Sequence, residues 1–370
     1  MRVAPALWRE WPLLAVVATT FLFLMFGRQL RGDLAHPVQF ALILTWLVAA
    51  ILAAVFAVVR HAERLAARLG EPLGTLVLTL SITGIEVMII VASMSAGHGS
   101  PTLARDAMFA VIMIVLNGMV GLTLLVGGLK YREQDYNLQG ANAFLAVILP
   151  LAVVGLVLPN YTVSSPDKTF SPGQAAFLTL VFLALYGVFL TIQNIHYRAY
   201  FRSTAEARKA NPLPSAAKAQ QPVLFHLLLL VAYLGPLTVL AEHLAVPIDY
   251  TIRVLGAPVA LAGFLVAAIV LAPESVVAVR AAAGNDLQRA VNVLLGSVLA
   301  SIGLSIPAIL IYGLLAGVPI VLGLDQVGIT LLALTLVLCT MTFSSSRTHV
   351  LLGAVHLVVF LAYAMLIFQG

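Results

Sequence analysis

Charge is what this chain has least of. Charged residues make up 9% of its 370 residues and apolar ones 61%, whereas soluble domains carry roughly 25% charge. That scarcity excludes a string of water-soluble domains and leaves one polytopic membrane domain. Cysteine is nearly missing as well. The single Cys339 sits in an apolar run, so no intramolecular disulfide and no cysteine-based metal cluster can form. No aspartate falls in the middle of an apolar segment and no His-Glu-x-x-His occurs. An intramembrane protease or lipid transferase would therefore lack its nucleophile–base pair or its deep aspartates. The net charge of +5 raises nucleic acid as a partner. The reading adopted is positive charge in cytoplasmic loops, with the lipid bilayer and no nucleic acid as partner.

What the chain has in abundance is long apolar runs. About eleven segments approach the ~20 residues needed to span a bilayer. They lie near 12–28, 38–59, 74–96, 106–129, 141–158, 174–197, 223–241, 257–283, 290–315, 328–343 and 350–368. The first lacks a small-x-small cleavage site and is taken as a helix, not a signal peptide. With the N-terminus in the cytoplasm, alternate loops collect fifteen of the twenty Lys and Arg residues. That bias fits an odd number of spans with the C-terminus outside.

The longest polar stretch, 201–222, contains Pro212, Pro214 and Pro222 with several basic residues and reads as a cytoplasmic linker. It divides the chain into an N-terminal helix (1–36), a five-helix block (37–200) and a second five-helix block (223–370). An odd number of spans per block turns the second block upside down, the inverted-repeat plan of many secondary transporters. Weak internal similarity agrees. Gly70-Glu71-Pro72-Leu73 precedes Glu86 much as Gly256-Ala257-Pro258-Val259 precedes Glu274, and Gly121-Leu122-Thr123-Leu124 echoes Gly303-Leu304-Ser305-Ile306.

Glu86 and Glu274 are the two acids read deep inside apolar segments, one in each block. An ionisable group there costs several kcal/mol or more and marks a functional site by default. Two such carboxylates suit a divalent cation or a pair of protons. Thr75, Thr79, Thr83 and Glu86 are spaced 4, 4 and 3 residues apart, so they share one helix face, and Ser93 extends it. In the other block Pro273 precedes Glu274; a proline frees a carbonyl one turn earlier. Gly84 allows a similar irregularity before Glu86. Ser297, Ser301 and Ser305 form a stripe beside Gly296, and Asn117 supplies an amide oxygen, a hard ligand suited to Ca²⁺ or Na⁺. The alternative for the hydroxyl and amide residues is helix–helix packing. His226 and His356 read as packed or interfacial residues, with a modulatory proton site the other reading.

At this point the residues resemble a family. Gly70-Glu71-Pro72 through Ile85-Glu86-Val87, and Ala272-Pro273-Glu274 through Gly296-Ser297-Val298-Leu299-Ala300-Ser301-Ile302-Gly303, look like the two repeat motifs of the calcium/cation antiporter superfamily. The resemblance points to the bacterial ChaA-type calcium/proton branch. Asn137-Leu138-Gln139-Gly140-Ala141-Asn142-Ala143 and Leu158-Pro159-Asn160-Tyr161-Thr162 are similar to that subgroup too. The resemblance implies an all-α fold of about eleven helices, one N-terminal helix plus two inverted five-helix repeats, with one glutamate of each repeat binding the cation. Two departures stand out. Many relatives carry asparagine three residues before each glutamate, where this chain has Thr83 and Leu271. The central linker is basic, with Glu206 its only acid, which argues against an acidic calcium-sensing loop.

The expected activity is exchange of Ca²⁺ for H⁺ by alternating access, not enzymatic catalysis, in a bacterial inner membrane. Glu86 and Glu274 form the shared cation and proton site, with Thr83, Asn117, Ser297 and Ser301 around it. No cofactor is called for; the metal is cargo. Because protons and metal compete for the same carboxylates, coupling needs no separate device. Na⁺/H⁺ or K⁺/H⁺ antiport is the alternative, since hard oxygen ligands serve those ions as well.

Overall fold

The computed structural model describes residues 10–30, 34–70, 73–95, 100–165, 168–202 and 221–369. Apart from its first and last two residues, the basic linker at 201–222 lies outside them. Among the described residues the chain folds into apolar helices. Nine are long enough to cross a membrane and two are shorter. In chain order they are α1 (Trp11–Leu30), α2 (Pro37–Leu69), α3 (Leu73–Ser95), α4 (Leu103–Tyr131), α5 (Leu138–Leu156), α6 (Pro172–Thr191), α7 (Val223–Arg253), α8 (Ala260–Ala283), α9 (Leu287–Ala316), α10 (Gln326–Thr342) and α11 (Val350–Gln369). A two-residue ribbon, β1 (Gln134–Asp135) against β2 (Arg347–Thr348), pairs antiparallel with Gln134 opposite Thr348. The chain is an integral membrane protein.

Most of these ends fall within a few residues of those expected from hydropathy. Helices α2 and α7 are the exceptions, running ten and twelve residues further than expected, to Leu69 and Arg253. Hydropathy stops at the first charges, but helical periodicity does not. Past Val59, the residues His61, Ala62 and Leu65 remain buried on one face while Arg60 and Arg64 are half-buried. Thirty-three residues extend about 50 Å, well beyond the ~20 residues a bilayer needs. Glu63, Glu242 and Asp249, expected in loops or at helix ends, therefore lie within helices; Glu242 is exposed.

The first three helices of the two blocks match in length. Their first members have 33 and 31 residues, their second 23 and 24, their third 29 and 30. The turns after the first members also agree. Gly70 and Gly256 both adopt positive φ, +67° and +73°, a conformation that glycine enters without penalty. The likeness of the two Gly-x-Pro sequences thus has a backbone cause.

The chain forms two compact units. One takes residues 1–100 and 214–272, the other 101–213 and 273–370, so each unit draws helices from both blocks. The first unit holds α1, α2, α3, α7 and the opening half of α8. The second holds α4, α5, α6, α9, α10, α11 and α8 from Pro273 onward. Within the second unit α4 and α9 are innermost, with 78% of their apolar stretches buried, against 28% for α11. Helix α11 nevertheless meets α4 closely. A Cβ added to Gly353 would come within 2.7 Å of the Leu125 nitrogen and 2.8 Å of the Gly121 oxygen, so glycine alone lets these backbones touch.

Candidate functional site

In the first unit the expected stripe on α3 is graded. Thr75 and Thr79 are half-buried, while Thr83, Glu86 and Ser93 are buried, Glu86 to 2% exposure. Glu86 stands thirteen residues from the start of a 23-residue helix, near the middle of its span. Contrary to the expectation drawn from Gly84, α3 is regular α-helix throughout. A Cβ on Gly84 would meet nothing within 4 Å, so that glycine provides neither a kink nor a packing notch.

In the second unit Glu274 occupies the corresponding place, fourteen residues into the 24-residue α8. Pro273 sits just before it inside the helix and cannot donate to the carbonyl of Ile269. The hydroxyl of Ser297 on α9 donates to Oε2 of Glu274. Ser297 is thereby bonded directly to a glutamate from the helix before it. Ser301, one turn on, is buried, as is Ser305.

Helices α4 and α9, the third members of the two blocks, share an irregularity. Met113–Met119 in α4 and Ser301–Ser305 in α9 are wound as π-helix. Such bulges are rare and cluster at functional sites. In α9 the cause is partly Pro307, which follows the bulge and has no N–H for the carbonyl of Gly303. Both bulges contain residues selected for chemistry, Asn117 in one and Ser301 in the other.

Asn117 is fully buried, and its polar atoms are engaged by the last two helices. Nδ2 donates to Thr335 Oγ1 at 2.8 Å, and Oδ1 lies 3.3 Å from Nδ1 of His356. Nε2 of His356 is 2.9 Å from Thr342 Oγ1. A neutral ring fits this chain: Nδ1–H donates to the amide oxygen and Nε2 accepts from the threonine. His356 is thus a packed, hydrogen-bonded residue. Its partnership with Asn117 is invisible in sequence because 239 residues separate them.

The two motif stretches that resembled the antiporter subgroup do structural work. Asn137 caps α5 by accepting from the Gly140 N–H at 3.1 Å, while its own N–H donates to Gln288 Oε1 at 2.6 Å. Leu158–Asn160 forms a 3₁₀ turn that closes the same helix. Tyr136, in the loop beside the ribbon, donates to the carbonyls of Thr342 and Ser345, and burial pushes its hydroxyl pKa above the ordinary tyrosine value. It remains a donor well into the alkaline range.

Comparison with known proteins is consistent over most of the chain. The pattern of the sodium/calcium exchanger protein family matches residues 39–194 and 225–369, and each segment takes in one five-helix block. The chain is 39% identical over 295 residues to the sodium-potassium/proton antiporter ChaA of Escherichia coli (strain K12), covering 80% of each chain. It is 40% identical over 292 residues to a protein of Sinorhizobium fredii named as an ionic transporter, y4hA, covering 79% of each. Among solved structures, native YfkE aligns with a TM-score of 0.73 at 18% identity, over 96% of this chain and 99% of that one. The H⁺/Ca²⁺ exchanger CAX aligns at 0.65 and 17% identity, over 96% and 88%. At those identities the likeness establishes the fold.

Proposed function

The chain belongs to the sodium/calcium exchanger protein family, whose members are transporters and not enzymes, and we propose that within it this protein exchanges Ca²⁺ for H⁺ across a bacterial inner membrane. The observation that carries the proposal is the matched placement of two glutamates. Glu86 and Glu274 stand at the middle of the second helix of each five-helix block, and Glu274 receives a hydroxyl from the helix that follows.

Each carboxylate has two states. Deprotonated, it offers a cation a full negative charge and hard oxygens; protonated, it is neutral and the cation leaves. In a low dielectric the charged form without a cation is costly, so loss of metal favours uptake of protons, and the reverse. One carboxylate from each repeat supplies two charges, which matches a divalent ion. Ser297 and Ser301 add neutral oxygens, and Thr83 does the same one turn before Glu86. Asn117 acts by holding the α4 bulge against α10 and α11. Charge placement puts the N-terminus in the cytoplasm and the C-terminus outside.

A second reading, Na⁺ or K⁺ in exchange for H⁺, is favoured by one observation, the name of the E. coli relative, a sodium-potassium/proton antiporter. Purified protein in liposomes under an imposed pH gradient separates the two. Uptake of Ca²⁺, competed by excess Na⁺ or K⁺ only weakly, is the expected result. Uptake of Na⁺ or K⁺ with none of Ca²⁺ selects the second reading. No proton-coupled uptake of any of them overturns both.

A further inference from the structure

A second buried group of titratable side chains lies in the first unit. Glu10, just before α1, is 5% exposed; His61 on α2 is fully buried; His226 on α7 is 1% exposed. Glu10 Oε2 lies 2.6 Å from Arg60 Nη2, 3.1 Å from His61 Nε2 and 3.4 Å from the Tyr233 hydroxyl. Nδ1 of His61 and Nδ1 of His226 are 3.0 Å apart. Three helices thus converge on a chain of groups from carboxylate to imidazole to imidazole.

Hydrogen-bonding rules assign its protons. A carboxylate only accepts. Arg60 Nη2 is nearer to Glu10 than to His61 Nε2, 2.6 against 3.4 Å, so Nε2 of His61 turns its hydrogen to the same carboxylate. A neutral His61 then has a bare Nδ1, which accepts from Nδ1–H of His226. That leaves Nε2 of His226 without a hydrogen. This atom is buried and makes no hydrogen bond to any described group. A basic nitrogen is held ready at the end of an ordered relay.

We propose that Glu10, His61 and His226 form a proton-binding relay, additional to Glu86 and Glu274, through which pH acts on transport. The balance is one proton. It adds to Nε2 of His226; the proton on Nδ1 of His226 passes to Nδ1 of His61. His226 ends neutral with its hydrogen on Nε2. The new charge rests on His61, against the carboxylate of Glu10. The surrounding charges are Arg60, Arg64 and Arg68 of α2, with the Tyr233 hydroxyl of α7. Helix α3, which packs on both α2 and α7, carries Glu86 alone as a charged residue. The arginines oppose the added charge and Glu10 supports it, so protonation changes the electrostatics by which α2, α7 and the start of α1 are held together. Proton binding stands by itself; its effect on transport rests on the proton-coupled exchange proposed above.

Full-length protein labelled with ¹⁵N-histidine, in detergent, reads the protonation of each ring directly, with signals assigned from His61→Gln and His226→Gln. We expect His61 to be the ring that becomes charged as the pH is lowered across the acid range in which the protein stays folded. Glu10→Gln lowers its midpoint, because the supporting carboxylate is gone, and Arg60→Gln raises it. In liposomes, the pH midpoint of cation uptake follows those opposite shifts while the maximal rate is retained. A merely structural cluster would not give shifts of opposite sign, and Arg60→Gln, at a partly exposed position, covers the case in which a histidine variant fails to fold. The relay is overturned if both rings keep neutral signals across the range, or if Glu10→Gln leaves the titration unchanged. If the rings titrate but the uptake midpoint stays fixed, its action on transport is wrong. If the rings titrate and no proton-coupled uptake exists, the exchange reading fails and the proton site stands.

Discussion

Oδ1 of Asn117 lies 3.3 Å from Nδ1 of His356, while the same amide's Nδ2 donates to Thr335. The π-helical turn of α4 is thereby tied to α10 and α11 at a fully buried point. Thr335 in turn donates to the Leu331 carbonyl at 2.7 Å, so each group in the chain has a partner. The expected outcome of Asn117→Ala is first a loss of stability. Losing this buried hydrogen bond costs about 0.5–1.5 kcal/mol, since the Leu116 backbone also bonds the His356 ring. His356→Ala should cost a similar amount, and the double mutant less than the sum of the two, since both remove one shared bond. Thermal unfolding of the four proteins in detergent measures this. Additive losses would mean that the pair does not interact.

Glu86→Gln and Glu274→Gln should each abolish proton-coupled cation uptake in liposomes while the protein still inserts and folds. Glutamine keeps the shape and removes the titratable charge, and a neutral amide is cheaper to bury than a carboxylate. Normal uptake by either variant would dismiss that glutamate from the transport site.

Ser297→Ala should weaken apparent cation affinity more than Ser301→Ala, because Ser297 bonds to Glu274 directly. A hydrogen bond to a charged group contributes about 1.5–3 kcal/mol, which sets the expected loss at roughly tenfold or more for Ser297. The neutral oxygen of Ser301 should matter less. Concentration dependence of uptake under a fixed pH gradient reads both; equal affinity in all three proteins would return the serines to a packing role.

Apparent Ca²⁺ affinity should rise as pH rises. Each proton taken by Glu86 or Glu274 cancels a charge that the metal needs, so metal binding is favoured where the carboxylates are ionised. Ca²⁺ binding measured from neutral to alkaline pH tests the sign. A flat profile would separate proton from metal and leave a uniporter or channel in place of an antiporter.

What the sequence by itself determined follows from local rules. Apolar length set the helices and their order, because a bilayer fixes how many residues must be apolar. Two carboxylates inside such runs, at matching positions of two blocks, single out a candidate site, because charge there is costly. The Gly-x-Pro echo was visible as a weak internal similarity; that both glycines take positive φ is a finding of the structure. What only the tertiary structure decided depends on contacts across the chain. The continuation of α2 and α7 beyond their charges is set by what their buried faces pack against. The choice of Ser297 as the partner of Glu274, and the binding of Asn117 by His356 and Thr335, are pairings over 23 to 239 residues, which no spacing rule encodes. The meeting of Glu10, His61 and His226 is of the same kind. Each reads alone as an ordinary residue near a helix end, and only the packing of three helices brings a carboxylate and two imidazoles into hydrogen-bonding reach.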